Sequence, residues 1–167
     1  MPLPKKYIPS LEEPKLQSLW AASGVYNFQP AADRPVYSID TPPPTVSGNL
    51  HLGHTYSYTH TDIFARFHRM LGENVFYPMG FDDNGLPTER LVEKELGARA
   101  SEIDLQFFVE KCQEISERVE KDYQDLWQRL GLSIDWHYSY RTIDHCSRLT
   151  SQRSFIDLYK AGLVYQQ

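Results

Sequence analysis

The feature that most constrains the fold is the stretch Asp40–His54, which reads DTPPPTVSGNLHLGH. The apolar residues just before it, from Val36 to Asp40, predict a short strand. The three prolines 42–44 end its pairing, because proline has no backbone N–H to donate. Loop residues follow, and then a helix that opens with polar side chains. This order of strand, tight loop and helix is typical of α/β proteins that present a helix N-terminus to an anion.

Two histidines open the predicted helix. His51 and His54 lie three residues apart and therefore on one helix face. Between them, Gly53 removes a side chain where a flat ring or a backbone can approach closely. Imidazole donors, exposed backbone N–H groups and the positive end of the helix dipole all favour a phosphate. A bare pair of this spacing is common on solvated helix faces, so the phosphate interpretation depends on the prolines, glycines and strand that precede the pair.

Composition limits the classes of protein that the chain can represent. Its 167 residues are enough for one domain with a core. The net charge of −5 gives no broad basic surface for non-specific nucleic-acid binding. Cys112 and Cys146 form no CxxC pair, so we expect neither a disulfide framework nor a metal site. We expect no membrane partner and a cytoplasmic location, since the sequence has no long apolar run and no apolar signal region.

Hydrophobic periodicity and turn residues predict further elements along the chain. Strand, helix and strand within about 40 residues predict a βαβ unit with parallel strands, and hence an α/β fold. The stripe Ile63, Phe67 and Met70, widened by Phe64 and Leu71, is the predicted buried face of the first long helix. The predicted helices are Leu11–Trp20, Leu50–Leu71, Pro87–Leu96, Phe108–Leu130 and a last one capped by Asp144; the predicted strands are Val36–Asp40, Asn74–Pro78, Ile134–Tyr140 and Leu163–Tyr165.

Two acids stand in a predicted loop at the carboxyl end of a strand, where ligands bind in open parallel sheets. Asp82 and Asp83 have no cation close to them in the sequence. Most acids in such a loop are simply solvated. A carboxylate there also supplies the charge that an ammonium group requires.

The motifs taken together resemble those of a known family. PPPTVSGNLHLGH is similar to the HIGH motif of class I aminoacyl-tRNA synthetases, with Leu52 in place of isoleucine. The triple proline followed by TVSG resembles the valyl branch in particular. The segment MGFDDNGLPTE is similar to the one that these enzymes use to hold the amino acid. The resemblance covers most of the chain and continues through Leu126–Trp136 and Ser151–Gln166.

The resemblance implies a Rossmann-like parallel sheet of the HIGH-motif nucleotidyltransferase type, with residues 1–35 as an N-terminal helical arm and 36–167 as the first half of the catalytic fold. It implies ATP-dependent activation of valine to valyl-adenylate, with Mg²⁺ accompanying ATP, and transfer of valine to tRNA(Val). The implied catalytic residues are His51 and His54. The implied ATP site adds Gly48, Asn49 and Gly53, the last of them under the adenine.

The resemblance also implies an amino-acid site. Asp82 matches the carboxylate that pairs with the substrate ammonium group. Pro42, Pro43 and Thr45 match positions that line the side-chain pocket. Two departures concern specificity: Thr45 stands where many valyl enzymes have asparagine, and the run 83–87 differs from the commoner D-H-A-G pattern. Isoleucyl or leucyl specificity therefore stays open.

Some of the family's parts have no match in the sequence. These are the lysine loop KMSKS, the editing insertion and the anticodon-binding domain. We therefore expect the N-terminal half of the catalytic fold, with the C-terminal remainder as a partner and tRNA contacts made mainly elsewhere. The alternatives are a non-catalytic half or stand-alone paralogue that binds ATP or an adenylate, and another nucleotidyltransferase with an H-x-G-H motif.

Overall fold

The computed structural model describes residues 6–48 and 50–166, in which helices alternate with short strands. The helices are α1 (Pro9–Ser23), α2 (Leu52–Met70), α3 (Leu86–Leu96), α4 (Leu105–Arg129) and α5 (His145–Lys160); the strands are β1 (Val36–Ser38), β2 (Asn74–Phe76), β3 (Gly80–Phe81) and β4 (Tyr140–Arg141). Short 3₁₀ turns cover Ala100–Glu102 and Trp136–Tyr138. In these ranges the chain forms two compact units: unit 1 comprises 6–42, 50–79 and 117–139, and unit 2 comprises 43–48, 80–116 and 140–166.

Unit 1 contains the predicted βαβ arrangement. β1 and β2 pair in parallel, with Val36 opposite Asn74 and Ser38 opposite Phe76, and α2 connects them. The pairing continues beyond β1, where the Ile39 N–H donates to the Phe76 carbonyl at 2.9 Å. The expectation of an α/β fold with parallel strands is confirmed. The prolines that follow β1 lie outside the ladder, as their missing N–H groups require.

The core of unit 1 is built from large side chains of β2, its continuation and α4. Trp127, Tyr77 and Met79 are fully buried, and Val75 and Ile134 pack in the same cluster. Truncating a buried aromatic residue of this size typically costs about 3–5 kcal/mol of folding free energy. This cluster therefore carries much of the stability of unit 1.

The buried face of α2 differs from the predicted one. The stripe that includes Ile63, Phe67 and Met70 is exposed, Met70 to 79%. Tyr58, Asp62 and Ala65 are buried instead. The prediction was wrong because periodicity reports that apolar residues share a face, without reporting what that face meets.

A polar network determines which face of α2 turns inward. The Asp62 carboxylate accepts hydrogen bonds from the Ser133 N–H at 2.6 Å and from Arg66 Nε at 2.7 Å. Arg66 and Arg69 also donate to the 131–133 segment, at the carbonyls of Gly131 and Ser133. A buried carboxylate is tolerated only when it is paired and hydrogen-bonded, so this network selects the orientation of the helix.

Unit 2 is also built on parallel pairing. β3 and β4 align Gly80 with Tyr140 and Phe81 with Arg141. At Gly80 a Cβ atom would lie 2.2 Å from the Tyr140 ring, so only glycine fits there. A parallel bridge joins Thr45 to Asp82.

Several predicted helix ends of unit 2 are confirmed. Proline stands in the first turn of α3, and Gly97 closes the helix in the left-handed conformation. The predicted cap Asp144 is also confirmed, because its carboxylate accepts from the Ser147 N–H at the start of α5 at 2.7 Å. At the start of α4 the structure adds a cap that the sequence had not assigned, since the Asp104 carboxylate accepts from the Phe107 N–H at 3.0 Å.

Two predicted strands are wrong. Of the stretch Ile134–Tyr140, residues 136–138 form a 3₁₀ turn and only Tyr140 belongs to a strand. Asp135, expected on a polar exposed side, is fully buried and accepts from the Phe28 N–H at 2.7 Å. The predicted strand is thus replaced by the 3₁₀ turn 136–138, which the buried Asp135 carboxylate caps. Leu163–Tyr165 forms no strand in the described part of the chain.

In the described residues, none of the helices combines the length and the apolar character that crossing a membrane requires.

Candidate functional site

The two histidines of the HIGH-like motif build the N-terminus of α2. His51 is the N-cap residue, and its Nδ1 accepts from the Gly53 N–H at 3.1 Å. His54 is the third residue of the helix, and its Nδ1 lies 3.4 Å from the His51 N–H, which donates to it. The ring centroids are 4.1 Å apart. The pair therefore satisfies backbone N–H groups reciprocally, in the manner of a capping box.

These bonds determine the tautomer of each neutral ring. Since Nδ1 accepts a backbone hydrogen bond in both rings, the ring proton of neutral His51 or His54 is on Nε2. Partial burial, and next to it the charge of His51, lower the pKa of His54 below its ordinary value. An Nε2–H donor on each ring, beside the positive end of a helix, suits an oxyanion ligand.

Gly53 leaves room for the His51 ring. A Cβ atom at residue 53 would lie 2.9 Å from His51 Cε1 and 3.0 Å from Nδ1, which is closer than real side chains approach. A side chain at residue 53 would therefore require the His51 ring to shift. Gly48 has φ +130°, where other residues are strained, and this lets the loop turn before the helix.

A buried tyrosine anchors the first of the prolines. The Tyr58 hydroxyl donates to the Pro42 carbonyl at 2.7 Å, and its ring packs on Trp127 with centroids 4.7 Å apart. The core of unit 1 therefore holds the start of the proline loop in position. The sequence showed only that Tyr58 lies on α2, and its role depends on which face of the helix is buried.

The Asp82 carboxylate is the centre of a second arrangement, in unit 2. Thr45 Oγ1 donates to Oδ2 at 3.1 Å, and Thr142 Oγ1 donates to Oδ1 at 3.4 Å. The backbone of Asp82 is held as well, because its N–H donates to the Pro44 carbonyl at 3.0 Å and its carbonyl accepts from the Val46 N–H at 2.8 Å. Asp82 itself is half-buried.

The neighbouring acid has a different partner. Asp83 is buried, and its Oδ2 lies 3.9 Å from Arg141 Nε. In the residues 6–48 and 50–166, no lysine, arginine or histidine lies within ion-pair distance of Asp82. Asp82 therefore has neutral hydrogen-bond donors around an uncompensated charge.

The sequence-predicted site residues fall into two groups. Pro42, His51, Gly53 and His54 lie in unit 1, and Pro43, Thr45, Gly48 and Asp82 lie in unit 2; Asn49 is outside the described residues. The histidines contact one another, and Thr45 contacts Asp82.

Sequence reasoning missed Thr142, which touches Asp82 from a separate part of the chain. Thr142 directly follows Arg141 in the sequence, and it reaches Asp82 because β4 pairs with β3. In the described part of the chain, no three His, Cys, Asp or Glu side chains are grouped so that they could hold a metal ion.

Parallel βαβ architecture and a helix that opens on paired histidines define a Rossmann-like α/β protein of the HIGH-motif type. A family model described as tRNA synthetases class I (I, L, M and V) matches residues 15–167. The chain belongs to this family, the class I tRNA synthetases.

Individual relatives support the same assignment. The chain is 49% identical over 164 residues to the valine–tRNA ligase of Rickettsia akari (strain Hartford), covering 98% of this chain and 20% of that protein. It is 48% identical over 165 residues to the valine–tRNA ligase of Wolbachia pipientis wMel, covering 99% and 19%. The chain thus spans about a fifth of the length of the curated relatives that it matches.

A solved structure has the same fold. The crystal structure of the ternary complex of Agrobacterium radiobacter K84 agnB2 LeuRS–tRNA–LeuAMS aligns with a TM-score of 0.82 at 24% identity, over 96% of this chain and 19% of that one. The Rossmann-like fold class is therefore confirmed.

Proposed function

We propose that this chain is the N-terminal part of the catalytic domain of a valine–tRNA ligase, in which it binds ATP and valine for the formation of valyl-adenylate. The similarity to valine–tRNA ligases over nearly the whole chain supports the choice of valine. The observation that carries the proposal is the reciprocal capping of His51 and His54, which leaves an Nε2–H on each ring for a phosphate.

ATP would bind where α2 begins. His51 and His54 would donate from Nε2 to phosphate oxygens, while Gly53 lets the adenine approach the helix. The similarity of the sequence motif also assigns Gly48 and Asn49 to the proposed ATP site. Charge-assisted hydrogen bonds of this kind contribute about 1.5–3 kcal/mol each, so losing one histidine should weaken nucleotide binding roughly tenfold to a few hundredfold.

Valine would be held by its ammonium group and its side chain. Asp82 supplies the negative charge, and two hydroxyl groups orient its carboxylate without neutralising it. Pro42, Pro43 and Thr45 would form the wall against a small branched side chain. Because proline is rigid and apolar, it excludes water beside that side chain at little entropic cost.

In the proposed reaction a carboxylate oxygen of valine attacks the α-phosphorus of ATP, and pyrophosphate leaves. The donors at the start of α2 would hold the phosphates in position and stabilise the charge that develops on their oxygens. Mg²⁺ would enter with ATP, because this ion usually binds substrate phosphates together with few protein carboxylates, and it would neutralise phosphate charge. Transfer of valine to tRNA(Val) is proposed for the whole ligase, with the remainder of that protein as the partner of this chain.

Calorimetry with a non-hydrolysable valyl-adenylate analogue tests the proposal. We expect the unsubstituted chain to bind it, and the His54→Ala and Asp82→Asn variants to bind at least tenfold more weakly. His60→Ala is the matched control, since His60 is exposed on the same helix and its ring packs beside Tyr56, away from His51 and His54 in the sequence. Equal affinity in all four proteins would refute the assigned site.

Specificity and turnover need separate measurements. Tighter binding of the leucyl or isoleucyl analogue than of the valyl analogue would show that the substrate is that amino acid and not valine. Valine-dependent exchange of pyrophosphate into ATP measures activation directly. Binding without exchange would favour the adenylate-binding half over a catalyst that acts alone.

A further inference from the structure

We propose that Thr142 is a positioning residue for the Asp82 carboxylate and thereby for the amine of the substrate. This inference rests on the proposed function, in which Asp82 pairs with the ammonium group of an amino acid. It adds a residue outside the motif segments, directly after β4, the strand that pairs with the one leading into Asp82.

The geometry around Asp82 is a clamp with two sides. Thr45 donates to Oδ2 at 3.1 Å, and Thr142 donates to Oδ1 at 3.4 Å. Each carboxylate oxygen thus has its own hydroxyl donor, from separate segments of unit 2. A half-buried aspartate with a single donor can still rotate about its terminal torsion, whereas one donor on each oxygen defines the carboxylate plane.

Thr142 is itself held rigidly. Its backbone N–H donates to the Phe81 carbonyl at 3.0 Å, which continues the pairing of β3 with β4. Its Oγ1 accepts from the Asp83 N–H at 3.0 Å. With that lone pair engaged, the hydroxyl proton is available to Asp82. The chain of donors therefore runs from the Asp83 N–H through Thr142 to Asp82.

The chemistry of the clamp suits a site for an ammonium group. A hydroxyl orients the carboxylate and leaves its charge, whereas a guanidinium would compete with the substrate for it. The guanidinium in this region, that of Arg141, pairs with Asp83 instead. The two adjacent acids thus have separate partners, and the carboxylate clamped by hydroxyls keeps its charge for a cationic ligand.

The experiment compares two ligands that differ only in the amine. Calorimetry measures the affinity of the chain for a valyl-sulfamoyl-adenosine analogue and for its 3-methylbutanoyl counterpart, which lacks the amine. The dissociation constant of the amine-free analogue divided by that of the valyl analogue reports the contribution of the ammonium group. A merely structural role of Thr142 would weaken both ligands alike and leave this ratio unchanged.

We expect Thr142→Val to reduce the ratio by about three- to tenfold, since it removes one hydrogen bond to a charged group. Thr142→Ser keeps the hydroxyl and should restore the ratio. Thr150→Val, at an exposed threonine of α5, should leave it unchanged. Thr142→Ala is judged by the same ratio should the valine variant fail to fold, because its smaller side chain cannot clash.

The outcomes separate this inference from the proposed function. If the ratio is unchanged in Thr142→Val and Thr142→Ala but falls to about one in Asp82→Asn, the role of Thr142 is overturned. The proposed role of Asp82 then still holds. A ratio that survives Asp82→Asn, or a chain that binds neither analogue, overturns the amine site itself and the inference with it.

Discussion

Arg141 pairs with Asp83 and not with the adjacent Asp82: its Nε lies 3.9 Å from Asp83 Oδ2, while Asp82 receives hydrogen bonds from the Thr45 and Thr142 hydroxyls. Two neighbouring acids, indistinguishable in the sequence, thus have different electrostatic states. The buried acid is compensated within the protein. The half-buried one has hydroxyl donors and, among the described residues, no cation within ion-pair distance, which suits the proposed binding of an ammonium group.

A double-mutant cycle tests the pairing of Asp83 with Arg141. Arg141→Gln should destabilise the chain by about 3–5 kcal/mol, because it leaves a buried carboxylate without its cation. Combining it with Asp83→Asn should recover part of this loss, with a coupling of about 1–3 kcal/mol in urea unfolding. Asp82→Asn is the control and should show no coupling to Arg141→Gln. Additive effects at positions 83 and 141 would contradict the pairing.

The histidine pair predicts a pH dependence. Burial and the His51 charge lower the pKa of His54 below 6.5, so between its folded pKa and 6.5 the folded chain binds fewer protons than the unfolded chain. The contribution of His54 to stability is therefore fully present above pH 6.5 and decreases as the pH falls through the folded pKa.

NMR titration of the imidazole signals measures this effect. His51→Asn should raise the midpoint of His54 while leaving it below 6.5, because burial, the larger cause, remains. Asparagine can still cap the helix, so the fold should persist. His60→Asn should not move the midpoint. A His54 midpoint that does not respond to His51→Asn would show that the rings do not interact.

Gly53→Ala separates the requirements of the helix from those of the site. Alanine is a better helix former than glycine by about 1 kcal/mol, which roughly offsets the loss of the His51 cap, so unfolding measurements should show little change in stability. Its Cβ would nevertheless displace the His51 ring, which lies 2.9 Å away at Cε1. We expect roughly tenfold weaker binding of the adenylate analogue, since one charge-assisted hydrogen bond is lost. Unaltered binding would mean that the ring can move without consequence.

Tyr77 predicts an unusual stability effect. Its side chain is fully buried, and its hydroxyl has no hydrogen-bond partner in the described part of the chain. Burial is also the main reason that its pKa is raised. Removing an unsatisfied buried hydroxyl relieves a desolvation cost, so Tyr77→Phe should be neutral or stabilising by up to about 1 kcal/mol. A loss larger than that in thermal unfolding would point to a hydrogen bond, such as one from a buried water.

The unexpected orientation of α2 has a direct test. Met70 is 79% exposed, so Met70→Ser should change stability by less than about 0.5 kcal/mol. Ala65 is fully buried on the opposite face, and Ala65→Leu should cost about 1–3 kcal/mol by overpacking. The reverse order in urea unfolding would support the face that periodicity predicted.

Local chemistry made much of the architecture predictable. The strand, proline loop and α2, the left-handed Gly97 and the cap Asp144 all depend on residues within a few positions of one another. Proline cannot donate, glycine tolerates positive φ, and an aspartate oxygen reaches the next N–H groups, whatever the rest of the chain does. For this reason the sequence also predicted that the two histidines would meet.

Other features depend on distant partners, and only the tertiary structure decided them. The alternating residues from 134 to 140 predicted a strand, but Asp135 is buried because it accepts from the backbone of Phe28. The apolar stripe of α2 has the pattern of a core face, but it is exposed because the hydrogen bond from the Ser133 N–H to Asp62 turns the opposite face inward.

The sequence by itself therefore determined the kind of fold, its helices and the residue types present at the candidate site. Tertiary structure decided which helix face is buried, which of two adjacent acids pairs with Arg141, and that Thr142 lies against Asp82. The physical reason is that hydrogen bonds, ion pairs and burial act between residues up to about a hundred positions apart, whereas propensity and capping act within one turn.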